Sequence, residues 1–338
     1  MNGARFVLPA TMIAEAEIVV GMCVGVKKGE MVVVASDSKR RLEGDVLASV
    51  CHSRGAEVLH VDLTPYVSPI HAGRYVEPPD HFKELMKKSN VTLIATSQEY
   101  SQRFSHKIHH FLVQTEDCCV YQVDEGVGTW DLRVEDVDKI MERSRRIMEA
   151  MRGARWVRVS SPNGTDVRLC IEGRECLPVM PVMKRAAIQA AMPIPLWGEL
   201  NWAPVEELTE GRVVVDGILM RWGHESAVSS PVEWTVKNGR IVEVRGGREA
   251  DEFLKTLETA DPNAYVVGEL GIGASHKARL GTMEEKGRLG TVHLGVGSNK
   301  GVYPGGRNVS TIHGDGSVRN VKVEVDDRLI IDGERLLV

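Results

Sequence analysis

The chain reads as α/β plus α+β: a doubly wound, mostly parallel N-terminal domain followed by a β-rich C-terminal domain. Three observations lead there. Its 338 residues exceed the usual size of a single domain, so two cores are expected. In the first half, short apolar runs alternate with amphipathic stretches, as in parallel strands joined by crossover helices. After Arg152, short β-branched segments bounded by Gly, Asn and Asp take over, the texture of antiparallel sheet.

Met31–Asp37 is a continuous apolar run, as in a strand buried on both faces. Ser38–Arg54 then reads as a helix with Gly55 placed to end it. Glu57–Asp62 is a second strand, Pro78-Pro79-Asp80 opens a helix to Lys88, and Val91–Ala95 is a third strand. Ser101–Phe111 has a helical pattern, Asp117–Val123 is strand-like, and Val134–Met151 is a long amphipathic helix. In the second half, Arg155–Ser160, Asp166–Ile171, Gly211–Met220, Val232–Val236 and Arg240–Val244 read as strands. Asn238-Gly239 between two of them is a hairpin signal. Arg248–Glu258 reads clearly as a helix. The boundary is placed at 192/193, beside Pro193 and Pro195, giving domains 1–192 and 193–338.

A net charge of -5 and a pI near 6.2 argue against a dedicated nucleic-acid or anionic-membrane binder. The six cysteines form no CxxC pair, so they are expected to be reduced thiols in a reducing cytoplasm. Met1–Glu17 lacks the apolar core of a signal peptide. No run approaches the roughly 18 apolar residues of a membrane span. A cytoplasmic protein without membrane or nucleic-acid partners is expected. Gly126-Val127-Gly128 lacks the spacing of a phosphate-binding loop, and no G-x-S-x-G elbow occurs.

Five residues carry the chemistry. Glu269 sits in Val-Val-Gly-Glu-Leu-Gly-Ile-Gly, His293 in Gly-Thr-Val-His-Leu-Gly-Val-Gly, and His313 and Asp315 in Ser-Thr-Ile-His-Gly-Asp-Gly. Glu199 lies between Trp197 and Trp202, flanked by prolines. On a strand, positions i and i+2 face the same side, so His313 and Asp315 can share one ion. A carboxylate such as Glu269 inside a glycine-rich apolar strand needs a cation or a hydrogen-bond cage, because an unpaired buried charge is costly. Two imidazoles and three carboxylates brought together would make a divalent-metal site. Arg74, Arg168, Arg174, Lys277 and Arg279 are candidates for recognising a substrate carboxylate.

The ordered set Glu199, Glu269, His293, His313-x-Asp315 resembles the aminopeptidase T family of metallo-aminopeptidases. Ser161-Pro-Asn-Gly-Thr-Asp166, Val215-Asp216-Gly217, Glu285-Lys286, Asn308-x-Ser310, Glu77-Pro78-Pro79 and Ser105-His106 share the likeness, which spans about Met31 to Gly333. The resemblance implies an aminopeptidase-like hydrolase. Its five ligands would hold one or two ions, commonly Zn or Co, with Mn also suited to the donors. Glu269 would double as the base toward a metal-activated water that attacks an amide or peptide bond. It also implies a short-peptide or other small-molecule substrate and a homo-oligomer, as a dimer or higher.

One departure from that family matters. Seven residues after His293, where the family carries an oxyanion-stabilising tyrosine, this chain has Lys300, with Tyr303 three residues further on. Lys300 is therefore a candidate catalytic residue, by charge or by binding a substrate carboxylate. The same superfamily is similar to 2,5-dihydroxypyridine 5,6-dioxygenases, in which a single Fe(II) supports ring cleavage. That alternative needs two histidines and a carboxylate around iron, drawn from His313, Asp315 and His293, or His276. A first-domain histidine near the substrate would be His106. A third reading is a non-catalytic two-domain binding protein stabilised by a structural ion.

Overall fold

The computed structural model describes residues 10–67, 77–97, 119–123, 126–183, 195–221 and 224–338. These divide into two compact units, one formed by residues up to 137 with 181–195, the other by 138–180 with 196–338. The sequence-based cut at 192/193 thus differs from the observed division, in which 138–180 pack with the second unit. The reason lies in β-pairing, since strands at 156–160, 166–170 and 177–179 hydrogen-bond only to second-unit strands or to one another.

In the first unit, β1 (Met31–Ser36) is buried from Val32 onward. It pairs in parallel with β2 (Glu57–Asp62) and β3 (Val91–Ala95), and β4 (Val120–Gln122) extends the sheet in the order β2-β1-β3-β4. Edge strand β2 is only partly covered, whereas β3 is wholly buried. Phe82 and Met86, four residues apart on helix Asp80–Lys88, pack with Val33, Ala35 and Ile94. The stretch expected as one helix from Ser38 begins as a 3-10 turn, because the Asp37 carboxylate caps the Lys39 and Arg40 amides; the α-helix runs Arg41–Ser53. Gly55 follows it at φ +85°, the left-handed conformation that glycine adopts without penalty. Cys23 is a buried thiol, pushed up to about 12 by that burial. Of the Asp117–Val123 run expected as a strand, Val120–Gln122 is strand, and residues 117–118 lie outside the described residues. The helix expected over 101–111, with His106 on it, lies outside the described residues, as do Arg74 and Cys118.

The second unit holds two antiparallel sheets. Its strands are β5 (Trp156–Ser160), β6 (Asp166–Cys170), β7 (Leu177–Val179), β8 (Glu199–Trp202), β9 (Glu210–Val215), β10 (Ile218–Arg221), β11 (His224–Ala227) and β12 (Val232–Lys237). They continue as β13 (Arg240–Arg245), β14 (Val267–Gly273), β15 (Thr291–Gly297), β16 (His313–Arg319), β17 (Lys322–Val325), β18 (Arg328–Asp332) and β19 (Arg335–Leu336). One sheet runs β11-β10-β16-β15-β14-β8-β7 and the other β13-β12-β9-β6-β5-β17-β18-β19. The run Gly211–Met220 is two strands in different sheets rather than one, broken at Asp216-Gly217. The hairpin at Asn238-Gly239 forms as expected, with both residues at positive φ, 48° and 72°, as the tight primed turn requires.

Both sheets contribute to one core. Val157, Val159, Val167, Val213 and Trp234 from one sheet cluster with Leu200, Leu270, Ile272, Val292, Leu294 and Val318 from the other. Trp234 also stacks on Phe253 of helix Arg248–Thr259, centroids 4.9 Å apart. The core explains half of the His313-Gly-Asp-Gly-Ser317 pattern. A Cβ at Gly316 would lie 2.5 Å from the Trp234 ring, so the glycine admits the indole. Strand alternation then turns His313, Asp315 and Ser317 to the opposite face.

Candidate metal centre

The same alternation operates on every strand around the site. Leu200, Leu270, Ile272, Val292, Leu294 and Val296 enter the core, so Glu199, Glu269, His293, His313 and Asp315 project together from the other face of the sheet. Cross-strand register sets a glycine against each of them. Glu199 faces Gly273, His293 faces Gly271, His313 faces Gly297, and Glu269 and Asp315 both face Gly295. A Cβ at Gly271 would sit 1.8 Å from His293 Cε1; one at Gly295 would sit 2.6 Å from Glu269 Oε2 and 2.8 Å from Asp315 Oδ1. The glycines flanking the ligands in sequence are thus the cradle that gives them room.

All five sequence-predicted ligands meet here. Glu269 Oε1 lies 3.2 Å from His293 Nε2, and Oε2 lies 2.9 Å from His313 Nε2. Glu199 Oε1 is 3.5 Å from His293 Nε2, and Asp315 Oδ1 is 3.6 Å from His313 Nε2. Two compact groups result, Glu199–Glu269–His293 and Glu269–His313–Asp315, with Glu269 common to both. Each has one imidazole and two carboxylates. The expected set of two histidines with one carboxylate, with His276 as the alternative second imidazole, is not among the groups the described residues form.

The groups fit a divalent cation. Glu199, Glu269, His293 and Asp315 are at most 5% exposed, yet Glu199 Oε2 and His293 Nδ1 find no hydrogen-bond partner. Buried polar atoms are rarely left so, and mixed imidazole–carboxylate donors suit Mn, Fe, Co or Zn. The His313 ring is already oriented, since Nδ1 lies 2.8 Å from the Ser298 carbonyl oxygen. With the proton on Nδ1, Nε2 presents its lone pair toward Glu269 and Asp315.

Without a cation the cluster is electrostatically coupled. Burial opposes charging of both imidazoles, but Glu199 and Glu269 raise His293 to about 9, and the hydrogen bond from His313 to Glu269, together with the Asp315 charge, raises His313 to about 9. Burial likewise works against the Glu269 anion, and the hydrogen bonds from both imidazoles override it, holding its carboxyl well below the usual range. Glu199 moves the other way, raised first by desolvation.

Three further groups belong to the site. Tyr303 stacks on His313, centroids 5.5 Å apart, with its hydroxyl 3.2 Å from Nε2. Burial and then the Glu269 and Asp315 charges push its phenol well above the ordinary value. Lys300, the expected catalytic residue, is instead exposed, with its backbone amide bound to the Asn308 carbonyl. The chain bends at Lys300 and brings the aromatic three residues later to the ligands. Lys286 Nζ is 2.6 Å from Asp315 Oδ2 and 3.3 Å from Glu225 Oε2. Glu225 lies on edge strand β11 with nothing in its local sequence to mark it, and Lys286 carried only the Glu285-Lys286 likeness, with no role attached.

Among the described residues, the arginines proposed for substrate recognition are engaged elsewhere. Arg174 pairs with Glu206 at 2.8 Å, Arg279 with Glu284 at 2.6 Å, and Arg168 lies over the Trp156 ring at 4.0 Å.

Among the described residues, no helix is long and apolar enough to cross a membrane. No curated protein matches the chain in a sequence comparison. Two solved structures share the fold at 15% identity. The 2,5-dihydroxypyridine dioxygenase of Pseudomonas putida KT2440 superposes with a TM-score of 0.74 over 98% of each chain. AmpT of Thermus thermophilus does so with a TM-score of 0.69, over 97% of this chain and 99% of its own. A family profile described as 2,5-dihydroxypyridine 5,6-dioxygenase (NicX) matches residues 12–337. The chain belongs to that family.

Proposed function

We propose that the chain is a divalent-metal-dependent, ring-opening dioxygenase acting on a hydroxylated pyridine or a close analogue. Family membership over residues 12–337 supports this reading. At the level of residues the candidate holder is the Glu269–His313–Asp315 group, whose atoms lie within reach of one ion, with Glu269 standing where the expected site would have a second imidazole. Bound Fe(II) would supply redox chemistry and open positions for substrate and oxygen. The protein's part is to hold and orient. Ser298 fixes the His313 ring, Lys286 fixes Asp315, and the Tyr303 hydroxyl retains a proton beside the ligands. Glu199, raised by burial, can take or return a proton at the site's edge.

One observation favours a second reading, a two-ion hydrolase of the aminopeptidase type. Glu269 belongs to both groups, as a carboxylate bridging two ions would. One experiment separates the two. Protein purified without oxygen and loaded with Fe(II) is expected to consume oxygen with 2,5-dihydroxypyridine. Zinc, cobalt or manganese protein should leave aminoacyl-anilides intact. Hydrolysis by a protein carrying two such ions, with no oxygen uptake by the iron form, would establish the hydrolase instead.

A further inference from the structure

Lys286 is an ammonium set inside a cluster of acids. Its side chain is 10% exposed, Asp315 2% and Glu225 5%. Nζ donates to Asp315 Oδ2 at 2.6 Å and pairs with Glu225 Oε2 at 3.3 Å, with the Trp197 ring 5.7 Å away. The backbone that delivers it is fixed. The Thr282 hydroxyl caps the turn at the Glu284 amide. Neighbouring Glu285 accepts from Ser317 Oγ at 2.5 Å, and from Arg319 and the Gly281 amide at 2.6 Å each. The Thr291 hydroxyl binds the Glu285 carbonyl at 2.6 Å. An anchored turn with an ammonium already held between two buried carboxylates is a poor substrate anchor but a good resident cation.

Resting on the reading that the Glu269–His313–Asp315 group binds a divalent ion, we infer that Lys286 occupies the place a further cation would take between Asp315 and Glu225. It thereby leaves Asp315 a single free oxygen, Oδ1, for the ion. Two buried carboxylates facing one another must be balanced by a proton or a cation. Here the ammonium sits permanently between them and offsets part of that charge, so the number of exchangeable ions is capped by a side chain. Lys286 is a positioning residue: it acts through Asp315.

Mn(II) alone is the probe, counted by equilibrium binding to the metal-stripped full chain. Lys286→Met is expected to bind one more Mn(II) per chain than the unsubstituted protein. The gain should disappear in Lys286→Met/Glu225→Gln and be competed away by methylammonium. A folded Lys286→Met protein with an unchanged or smaller count overturns the inference. Should the single variant fail to fold, the neutral Lys286→Met/Glu225→Gln pair replaces it. Freed of the ammonium's repulsion, and with both Asp315 oxygens available, it should hold Mn(II) about tenfold more tightly. Equal or weaker binding there overturns the inference as well. Failure of the underlying metal reading shows separately, as no Mn(II) bound by the unsubstituted chain; the count in Lys286→Met is then compared with zero.

Discussion

Glu269 and His313 are joined by the shortest of the contacts between acids and imidazoles in the centre, Oε2 to Nε2 at 2.9 Å, while the other oxygen of the same carboxylate serves His293 at 3.2 Å. One side chain therefore ties two potential ligand groups together. Glu269→Gln should weaken metal binding in both by at least the roughly 10- to 100-fold that loss of an outer-shell partner causes, because Glu269 is itself a candidate ligand.

Glu199→Gln touches only the Glu199–Glu269–His293 group. If one ion at Glu269–His313–Asp315 is sufficient, this variant keeps its tight ion and most of its oxygen uptake. Metal analysis paired with oxygen consumption checks it. Loss of all turnover together with one of two bound ions would point to the two-ion enzyme.

The metal-free chain should respond to pH between about 6.5 and 9. Both imidazoles have folded values near 9, above their ordinary value of about 6.5. A raised value means the protonated form is favoured in the fold. That stabilisation is complete below about 6.5 and lost as pH climbs through about 9. The melting temperature of apo-protein is expected to fall across this window. Metal binding needs neutral imidazoles, so affinity should rise over the same range, with protons released to the buffer in calorimetry. A metal-loaded protein that loses stability as steeply as apo-protein would refute the assignment of these two histidines.

Gly271→Ala is expected to be costly although it adds a single methyl. Its Cβ would meet the His293 ring at 1.8 Å, and that ring is fully buried. Overpacking of this kind costs about 1–3 kcal/mol. Displacing His293 should also reduce metal affinity far more than stability. Thermal melts with chelator competition separate the two effects.

Tyr303 and Lys300 should behave in opposite ways to substitution. Tyr303→Phe keeps the stacking on His313 and removes a hydroxyl 3.2 Å from Nε2. Turnover should drop with little change in melting temperature. Lys300→Met alters an exposed loop residue, and its stability should stay within about 0.5 kcal/mol, with turnover unchanged. A large loss in Lys300→Met would return the catalytic role to that lysine.

Much of this protein was legible in its residues. Periodicity revealed the buried β1, the hairpin at Asn238-Gly239 and helix Arg248–Thr259, because each rests on local patterning or turn chemistry. The five candidate ligands could be named too, because a charged group amid glycines and β-branched residues has few bland explanations, and the fold brings all five together. What the sequence did not disclose depends on distance in space. It misplaced residues 138–180, because strand partners far along the chain decide which unit a segment joins. It chose Lys300 over Tyr303, because a loop's path follows from closure and not from spacing. It gave no role to Lys286 or Glu225, which are ordinary surface types until the turn at 283–287 and edge strand β11 bring them to Asp315. Alternation along strands determined which side chains share a face; cross-strand register, which set a glycine opposite every ligand, decided that they meet.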